Sequence, residues 1–165
     1  MPDDLYERDV LVWAERQADL LRRLAAGERV NDDAVDWPNV IEEVRDVGLS
    51  ELRACQSLLE QALAHLLKLH ALPESEAARH WRDEIRAFLH DAERRFTLSM
   101  RQRTGLDDLY AKALGRARAA AEDIGVAPRR LPEACPFALD ELLGGDSSVA
   151  ELIAKLGHGQ AGDGA

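Results

Sequence analysis

The sequence predicts an all-α protein, an antiparallel up-and-down helical bundle built around one long central helix. Apolar residues recur every three or four positions along the middle of the chain and along the segments that flank it, and Gly and Pro separate these segments. At about 100° per residue, the apolar positions of the central segment fall on one side of a helix, so we expect this whole stripe to be buried. The stripe consists of Ile41, Val44, Gly48, Leu52, Cys55, Leu59, Ala62, Leu66 and Leu69.

The first predicted helix covers residues 4–26, because apolar positions repeat at helical spacing as far as Gly27. The long central helix is predicted for residues 37–72. Pro38 suits its first turn, and Pro73 ends it because proline lacks an amide donor and disfavours helical angles in the residue before it. The expected buried face of the first helix is Tyr6, Val10, Trp13, Gln17, Leu20 and Leu24.

Two further long helices follow the central one. A third helix is predicted for residues 76–103 from the spacing of its apolar residues. A fourth begins with Asp107 as its N-cap and ends at Gly125. Because the connections are short, the second, third and fourth helices are expected to run antiparallel.

The last part of the chain predicts an extended segment and two short helices. Three prolines fall in residues 126–136, which indicates a strap laid over the bundle. Short helices are expected at residues 137–143 and 149–156, the second opened by a capping box of Ser148 and Glu151.

The length of the chain favours one main domain. A chain of 165 residues can bury its own core, and we expect a single bundle domain over residues 1–143. Residues 144–165 are expected to add one short helix and a disordered tail that begins at residue 157.

Charge and composition disfavour two classes of partner. The 31 acidic and 21 basic residues leave a net charge of -10, which repels nucleic acid and anionic membrane surfaces. No run of 18 apolar residues occurs, so we expect neither a membrane anchor nor an export signal. The two cysteines offer no disulfide framework and no zinc pairing, which favours a reducing compartment. We therefore expect a cytoplasmic protein.

A metal site is one hypothesis for the hairpin after the central helix. His80 and Glu84 are four residues apart, and the hairpin places His65 near the level of Arg82, so three potential ligands lie within about two turns. The Glu-x-x-His pattern of metal-binding bundles is absent. His80 and Glu84 also point away from the buried face of their helix, which favours solvated side chains. The sequence therefore assigns no metal or cofactor.

A small-molecule pocket is a second hypothesis for this hairpin. His65 and Lys68 are three residues apart and Trp81 is expected to face them, which would place a cation near an indole. We favour the competing interpretation, core packing with a lysine that reaches solvent. Glu42 and Glu43 lie on the polar side of the central helix, where its dipole favours carboxylates, and this explains them better than a general-base role does.

Several motifs, in order along the chain, resemble the bacterial family called domain of unknown function 29. The resemblance spans about residues 5–143 and implies an all-α fold with no assigned activity or catalytic residue. Leu69 stands where the family usually has an aromatic residue, which weakens a binding role for His65, Lys68 and Trp81. Phe137 stands where tyrosine is usual. The motif residues are Tyr6, Trp13, Asn39, Glu42, Glu43, Gly48, the run from His65 to Lys68, Trp81, Ile85, Cys135 to Phe137, Leu142 and Leu143.

Helices with wide apolar faces and no convergent reactive groups favour a protein that acts by binding protein, itself included, over an enzyme. The alternative is a small-molecule-binding or metal-dependent enzyme with a site near the hairpin. Nucleic-acid binding through the third helix is disfavoured, because its arginines alternate with acidic residues at ion-pair spacing. No catalytic residue is assigned, and the candidate binding residues are His65, Lys68, Trp81, Glu42 and Glu43.

Overall fold

The structure, a computed structural model, describes residues 5–158, and this part of the chain contains helices and connecting segments without strands. The all-α class and the long central helix are confirmed. The chain divides into two compact units, one that ends at Ser50 and one that begins at Glu51. The predicted domain boundary after residue 143 stays a prediction. The helices are α1 (Leu5–Arg8), α2 (Val10–Ala25), α3 (Trp37–Ala71), α4 (Ala78–Arg95), α5 (Leu106–Ile124), α6 (Leu139–Leu143) and α7 (Val149–His158), with 3₁₀ turns at Asp32–Ala34 and Leu98–Arg103.

The first predicted helix is in fact two helices, because the chain breaks at Asp9. This residue leaves helical angles, with a φ of −155°, and its side chain accepts a hydrogen bond from the Val12 amide at 3.1 Å. The aspartate therefore caps α2 instead of continuing α1. Gly27 terminates the helical path as predicted, in a left-handed conformation with a φ of 77°.

Polar side chains hold the first unit together. Trp13 is 4% exposed and donates its indole N–H to Asp36 Oδ2 at 3.1 Å. The Asp36 amide donates to Gln17 Oε1 at 2.9 Å, and Asn39 donates to the Asp36 carboxylate at 2.7 Å. Asp36 directly precedes α3, so α2 is fixed to the beginning of that helix through hydrogen bonds.

The apolar stripe of the central helix is not buried along its whole length, which corrects the sequence prediction. Ile41 is 63% exposed and Val44 is 71% exposed, whereas the stripe is buried from Cys55 onward. The reason is that α1 docks on a polar side of α3, where Tyr6 donates its hydroxyl to Glu43 at 2.6 Å. Hydrogen bonds to polar side chains thus decide which side of this segment is covered.

In the second unit, α3, α4 and α5 form the predicted up-and-down arrangement. Contacts between α3 and α4 show antiparallel order, because later residues of one helix meet earlier residues of the other: Glu51 with Arg95, Cys55 with Ala92, and His65 with Glu84. Gln56 donates to the Arg103 carbonyl at 2.9 Å, just before α5. The Arg129 amide, beyond α5, donates to the Ala71 carbonyl at 3.1 Å. Helix α5 therefore runs in the same direction as α3 and antiparallel to α4.

The core of the second unit forms where these three helices meet. Leu59, Leu66 and Ile85 are fully buried at its centre. Ala113 and Ala117 of α5 belong to the same core, also fully buried, and their small side chains permit close packing.

Helix α4 is shorter than predicted, because the chain leaves α-helical angles at Phe96. The helix ends at Arg95, and a 3₁₀ turn replaces the last predicted turns. Extended angles at Phe96 redirect the chain so that Met100 reaches the core, where it is 8% exposed. Thr104 then donates its hydroxyl to the Met100 carbonyl at 2.8 Å, which closes this turn.

Helix α5 begins at Leu106, so the predicted N-cap at Asp107 is wrong. Gly105 occupies the capping position, with a φ of 59° that other residues rarely adopt. Gly125 ends the helix as predicted, with a φ of 70° and its amide bonded to the last turn.

The strap (residues 126–136) and the short helices follow in the predicted order. Tyr110 donates to the Pro132 carbonyl at 2.8 Å, which holds the strap against α5. The capping box is confirmed: the Ser148 amide donates to Glu151 at 2.7 Å, and the Glu151 amide donates to Ser148 Oγ at 3.2 Å. Helix α7 continues through His158, so the tail predicted from residue 157 is wrong for two residues, and its remainder lies outside the described residues.

Candidate functional site

Three side chains converge where α3 and α4 pack together, and we call His65, His80 and Glu84 the hairpin cluster. His65 Nε2 lies 2.6 Å from Glu84 Oε2, and His80 Nε2 lies 3.3 Å from Glu84 Oε1. One carboxylate thus contacts two imidazoles. The sequence left open whether these three residues meet, and the structure brings them together with His65 at the level of Glu84, two residues beyond the expected Arg82.

His65 contacts two oxygen acceptors through its two ring nitrogens. His65 Nδ1 lies 2.9 Å from the Gln61 carbonyl, which can only accept, so this nitrogen carries a proton. Glu84 contacts the other ring nitrogen at 2.6 Å, and a hydrogen bond of this length needs a proton on one of the two atoms. The two ring nitrogens of His65 thus connect the Gln61 backbone to the Glu84 carboxylate.

The members of the hairpin cluster differ in their access to solvent. The side chains of His65 and Glu84 are 16% and 32% exposed, whereas His80 is 70% exposed. A carboxylate that orients an exposed imidazole is an arrangement suited to proton transfer. The cluster can therefore present an exposed, oriented histidine to a bound molecule.

The other residues predicted for this site are placed differently. His65 packs edge-on against Phe88, with ring centroids 5.6 Å apart. Trp81 is 8% exposed and belongs to the hydrophobic core. Lys68 is half-buried and, in the part of the chain that the structure describes, makes no cation–π contact with Trp81. A binding role for Lys68 and Trp81 stays a prediction.

Glu42 and Glu43 lie in the first unit, near the beginning of α3. Glu43 accepts the Tyr6 hydroxyl, and this hydrogen bond, together with burial and the negative charge, raises the pKa of Tyr6 to about 12. Glu42 is exposed. Glu43 thus has a structural part in docking α1, and a binding role for either carboxylate stays a prediction.

A metal site formed by His65, His80 and Glu84 was one hypothesis drawn from the sequence. Between residues 5 and 158, no group of three or more His, Cys, Asp or Glu side chains has the geometry of a metal site. In the hairpin cluster the donor atoms point at one another, since the His65–Glu84 separation is that of a hydrogen bond.

Sequence reasoning missed an exposed apolar surface on the first unit, which we call the α3 apolar face. Its members Trp37, Ile41, Val44 and Val47 are 41%, 63%, 71% and 68% exposed. They follow one another at intervals of three or four residues, so they lie along one side of the helix. The periodicity predicted an apolar side here, but it gave no signal of whether a neighbouring helix covers it.

Sequence reasoning also missed His70, in the last turn of α3. This residue is 7% exposed, and its Nε2 atom has no hydrogen-bond partner among the residues that the structure describes. Burial lowers the pKa of His70, the positive charge of Arg129 acts in the same direction, and a hydrogen bond with the Arg130 backbone opposes them. The sequence signal that could have indicated its burial was its position next to Leu69, a predicted member of the buried stripe.

A family model decides which family the chain comes from. The model for the domain of unknown function DUF29 matches residues 5–147. The chain belongs to the DUF29 family. The resemblance drawn from the sequence motifs is confirmed.

A solved structure resembles this DUF29 chain over nearly its whole length. It is the crystal structure at 1.45 Å of an α-helical protein of unknown function from Rhodospirillum rubrum, with 32% sequence identity and a TM-score of 0.71. The match covers 92% of the DUF29 chain and 96% of the other. No curated protein matches the chain. Among its described helices, none has the length and apolar character needed to cross a bilayer.

Proposed function

We propose that this DUF29 protein acts by binding protein, and that its partner is a second copy of itself held through the α3 apolar face. The observation that supports this is the exposure, from 41% to 71%, of four large apolar side chains along one side of a helix. We further propose that it acts in the cytoplasm without a cofactor. The net charge of -10 supports the absence of a nucleic-acid partner.

The first unit gains more from an interface than the second, because it buries little on its own. Among its described residues the buried ones are Trp13, Gln17 and Val35. A segment of about 50 residues buries too small a fraction of its surface for more than marginal stability. A partner that covers the α3 apolar face would add roughly 25 cal/mol for each Å² of apolar surface removed from water.

The spacing of apolar residues at the beginning of α3 suits a second helix of the same kind. Trp37, Ile41 and Val44 follow one another at intervals of four and three residues, as the contact positions of a coiled coil do. A second copy presents the same positions, so a two-fold contact is self-complementary. The exposed side chains of two copies amount to on the order of 1,000 Å², which is the size of a weak, reversible interface.

Electrostatic repulsion opposes this contact and makes it sensitive to salt. Each copy has a net charge of -10. Added salt shortens the range of repulsion between two such copies, from about 10 Å at 0.1 M to 3 Å at 1 M. We therefore expect association to strengthen as salt is raised, the reverse of an interface held by ion pairs.

Sedimentation velocity over about 5 to 500 μM protein, in low and high salt, tests this proposal. The fraction of dimer should rise with concentration and with salt, and Val44→Lys should abolish it. This variant should fold, since Val44 is 71% exposed and lysine is a good helix former.

Leu98→Lys is the matched control, because Leu98 is a similarly exposed apolar residue of the second unit, 80% exposed. It should leave dimer formation unchanged. A wild-type chain that stays monomeric throughout the series, or a control variant that weakens association as much as Val44→Lys, would overturn the proposal.

The hairpin cluster supports a second candidate function, the binding and protonation of a small molecule. The specific observation is the contact of one carboxylate with two imidazoles, one of them 70% exposed. A ligand at His80 would stabilise the folded chain by RT ln(1 + [L]/Kd) and so raise its melting temperature. A thermal-shift screen of small acids and bases against wild type and His80→Gln tests it. A shift seen in wild type alone supports the site, and its absence across the screen removes this candidate.

A further inference from the structure

His70 is a buried histidine whose ring has an unused nitrogen. The residue is 7% exposed in the last turn of α3, and within residues 5–158 its Nε2 atom has no partner at hydrogen-bond distance. Native proteins seldom leave a buried polar atom unpaired, because the loss of hydration is then uncompensated. The unpaired nitrogen of His70 is therefore a candidate for a functional role.

The hydrogen bond at the other nitrogen determines which tautomer the neutral ring adopts. A bond with the Arg130 backbone favours the protonated imidazole, so the ring is its donor and the backbone carbonyl its acceptor. Since Nε2 has no partner, Nδ1 makes this bond. The neutral ring thus keeps its lone pair at Nε2, where a second proton would find no acceptor.

The strap and α7 both lie close to this ring, and neither supplies a compensating negative charge from its described residues. The strap contributes the Arg129 guanidinium, which disfavours a charged ring, and the Arg130 backbone. Helix α7 contributes Gly157, whose missing side chain leaves His70 Cε1 3.9 Å from the Cβ position. In the described part of the chain, no carboxylate acts on the imidazole. Protonation therefore places an unpaired cation beside another cation.

The strap is fastened to α3 at the same place. The Arg129 amide donates to the Ala71 carbonyl at 3.1 Å, one residue from His70. Leu131 is 6% exposed next to this point, and α7 buries Leu156 completely just before Gly157. A change of charge at His70 therefore affects the packing of both the strap and the end of α7 against α3.

We propose that His70 is an acid-sensitive latch, which holds the strap on the last turn of α3 when the ring is neutral and releases it when the ring is protonated. In the open state the ring meets water and takes up a proton like any free histidine, at about pH 6.5. In the closed state it resists the proton. Opening is therefore favoured below about pH 6.5, and closure is fully favoured above it.

The size of the effect follows from proton binding alone. If only the open state binds the proton, its population relative to the closed state grows as 1 + 10^(6.5 − pH), which is about tenfold between pH 7.5 and 5.5. Exchange of the Arg129 amide reports this opening directly, because that amide makes the bond to Ala71.

Amide hydrogen exchange followed by NMR, corrected for the intrinsic pH dependence, tests the latch on the full chain. The protection of the Arg129 amide should fall about tenfold from pH 7.5 to 5.5, while amides in the middle of α5 change much less. His70→Gln keeps a donor for the Arg130 carbonyl and has no proton to gain, so its Arg129 protection should stay constant over this range. The control His90→Gln, at an exposed position, should behave like wild type.

Two results would overturn the latch. One is equal Arg129 protection at the two pH values in wild type, and the other is the same pH dependence in His70→Gln as in wild type. If His70→Gln does not fold, the ring carbon shifts of His70 in wild type decide the question. A ring that is already protonated while the Arg129 amide is still protected contradicts the mechanism.

Discussion

Tyr6 donates its phenolic hydroxyl to Glu43 Oε1 at 2.6 Å, which ties the short first helix to the beginning of α3. A carboxylate in the first turns of a helix is usually explained by the helix dipole. Here the carboxylate also accepts a charge-assisted hydrogen bond from another helix, and that bond selects the polar side of α3 as the docking side.

The Tyr6–Glu43 bond predicts the ultraviolet titration of the two tyrosines. The bond raises the pKa of Tyr6 to about 12, and burial raises the pKa of Tyr110 further. Neither tyrosine should therefore form phenolate near pH 10, where a free tyrosine is half ionised. The stability from the Tyr6 bond is present below about pH 10 and is lost as the pH rises toward 12.

Absorbance at high pH checks this titration with two neighbouring variants. Glu43→Ala should bring the Tyr6 transition down toward pH 10, because the hydrogen-bond acceptor is gone. Glu42→Ala should change it little, since the charge of Glu42 is a minor cause of the shift. A first transition that stays near 12 in Glu43→Ala contradicts the assignment.

The hairpin cluster predicts a stability cost for removing its carboxylate. Glu84→Ala leaves the half-buried His65 ring without a partner at Nε2, which should cost about 1 to 3 kcal/mol in the free energy of unfolding. Asp83→Ala, one residue earlier and 66% exposed, should cost much less. Urea denaturation at neutral pH measures both. Equal effects of the two changes would mean that the His65–Glu84 contact contributes no stability.

The two halves of the central stripe should respond differently to truncation. Leu66→Ala removes a fully buried side chain and should cost roughly 2 to 5 kcal/mol, because a cavity remains. Val44→Ala changes a side chain that is 71% exposed, and the effect should stay within about 0.5 kcal/mol. Denaturation at low protein concentration, where self-association is negligible, compares them. A large loss in Val44→Ala would show that this side chain is covered within the single chain.

The cysteines should be unreactive in the native protein. Burial raises the pKa of both thiols, and Cys55 is only 1% exposed, so little reactive thiolate is available at neutral pH. A disulfide reagent should label neither thiol within minutes, and both immediately after unfolding in denaturant. Fast labelling of Cys135 in the native state would show that the chain around Phe137 opens readily.

Helical periodicity predicted most of this fold, and particular residues show where it fails. The long helix, its end at Pro73 and the capping box at Ser148 follow from local rules, and the structure confirms them. The break at Asp9 was missed, because an aspartate within an amphipathic pattern can either continue a helix or cap the next one. The prediction that the whole stripe is buried was wrong, because periodicity identifies the apolar side of a helix but not whether another helix packs against it.

The candidate site was predictable in its location but not in its contacts. Chain direction placed His65 near α4, since the hairpin at Pro73 fixes the level of one helix against the other. The direction of the Glu84 side chain decides the cluster, and a flexible glutamate on the edge of a helix can reach either solvent or a neighbouring helix. His70 was missed because the sequence does not show which side the strap would cover.

Along one side, the first turns of α3 expose apolar side chains to solvent, where most soluble helices expose polar ones. Attraction between such surfaces obeys mass action, so the amount of protein present sets the extent to which copies meet. Under the proposed self-association, the concentration of the chain would therefore set the fraction that assembles, without any other signal.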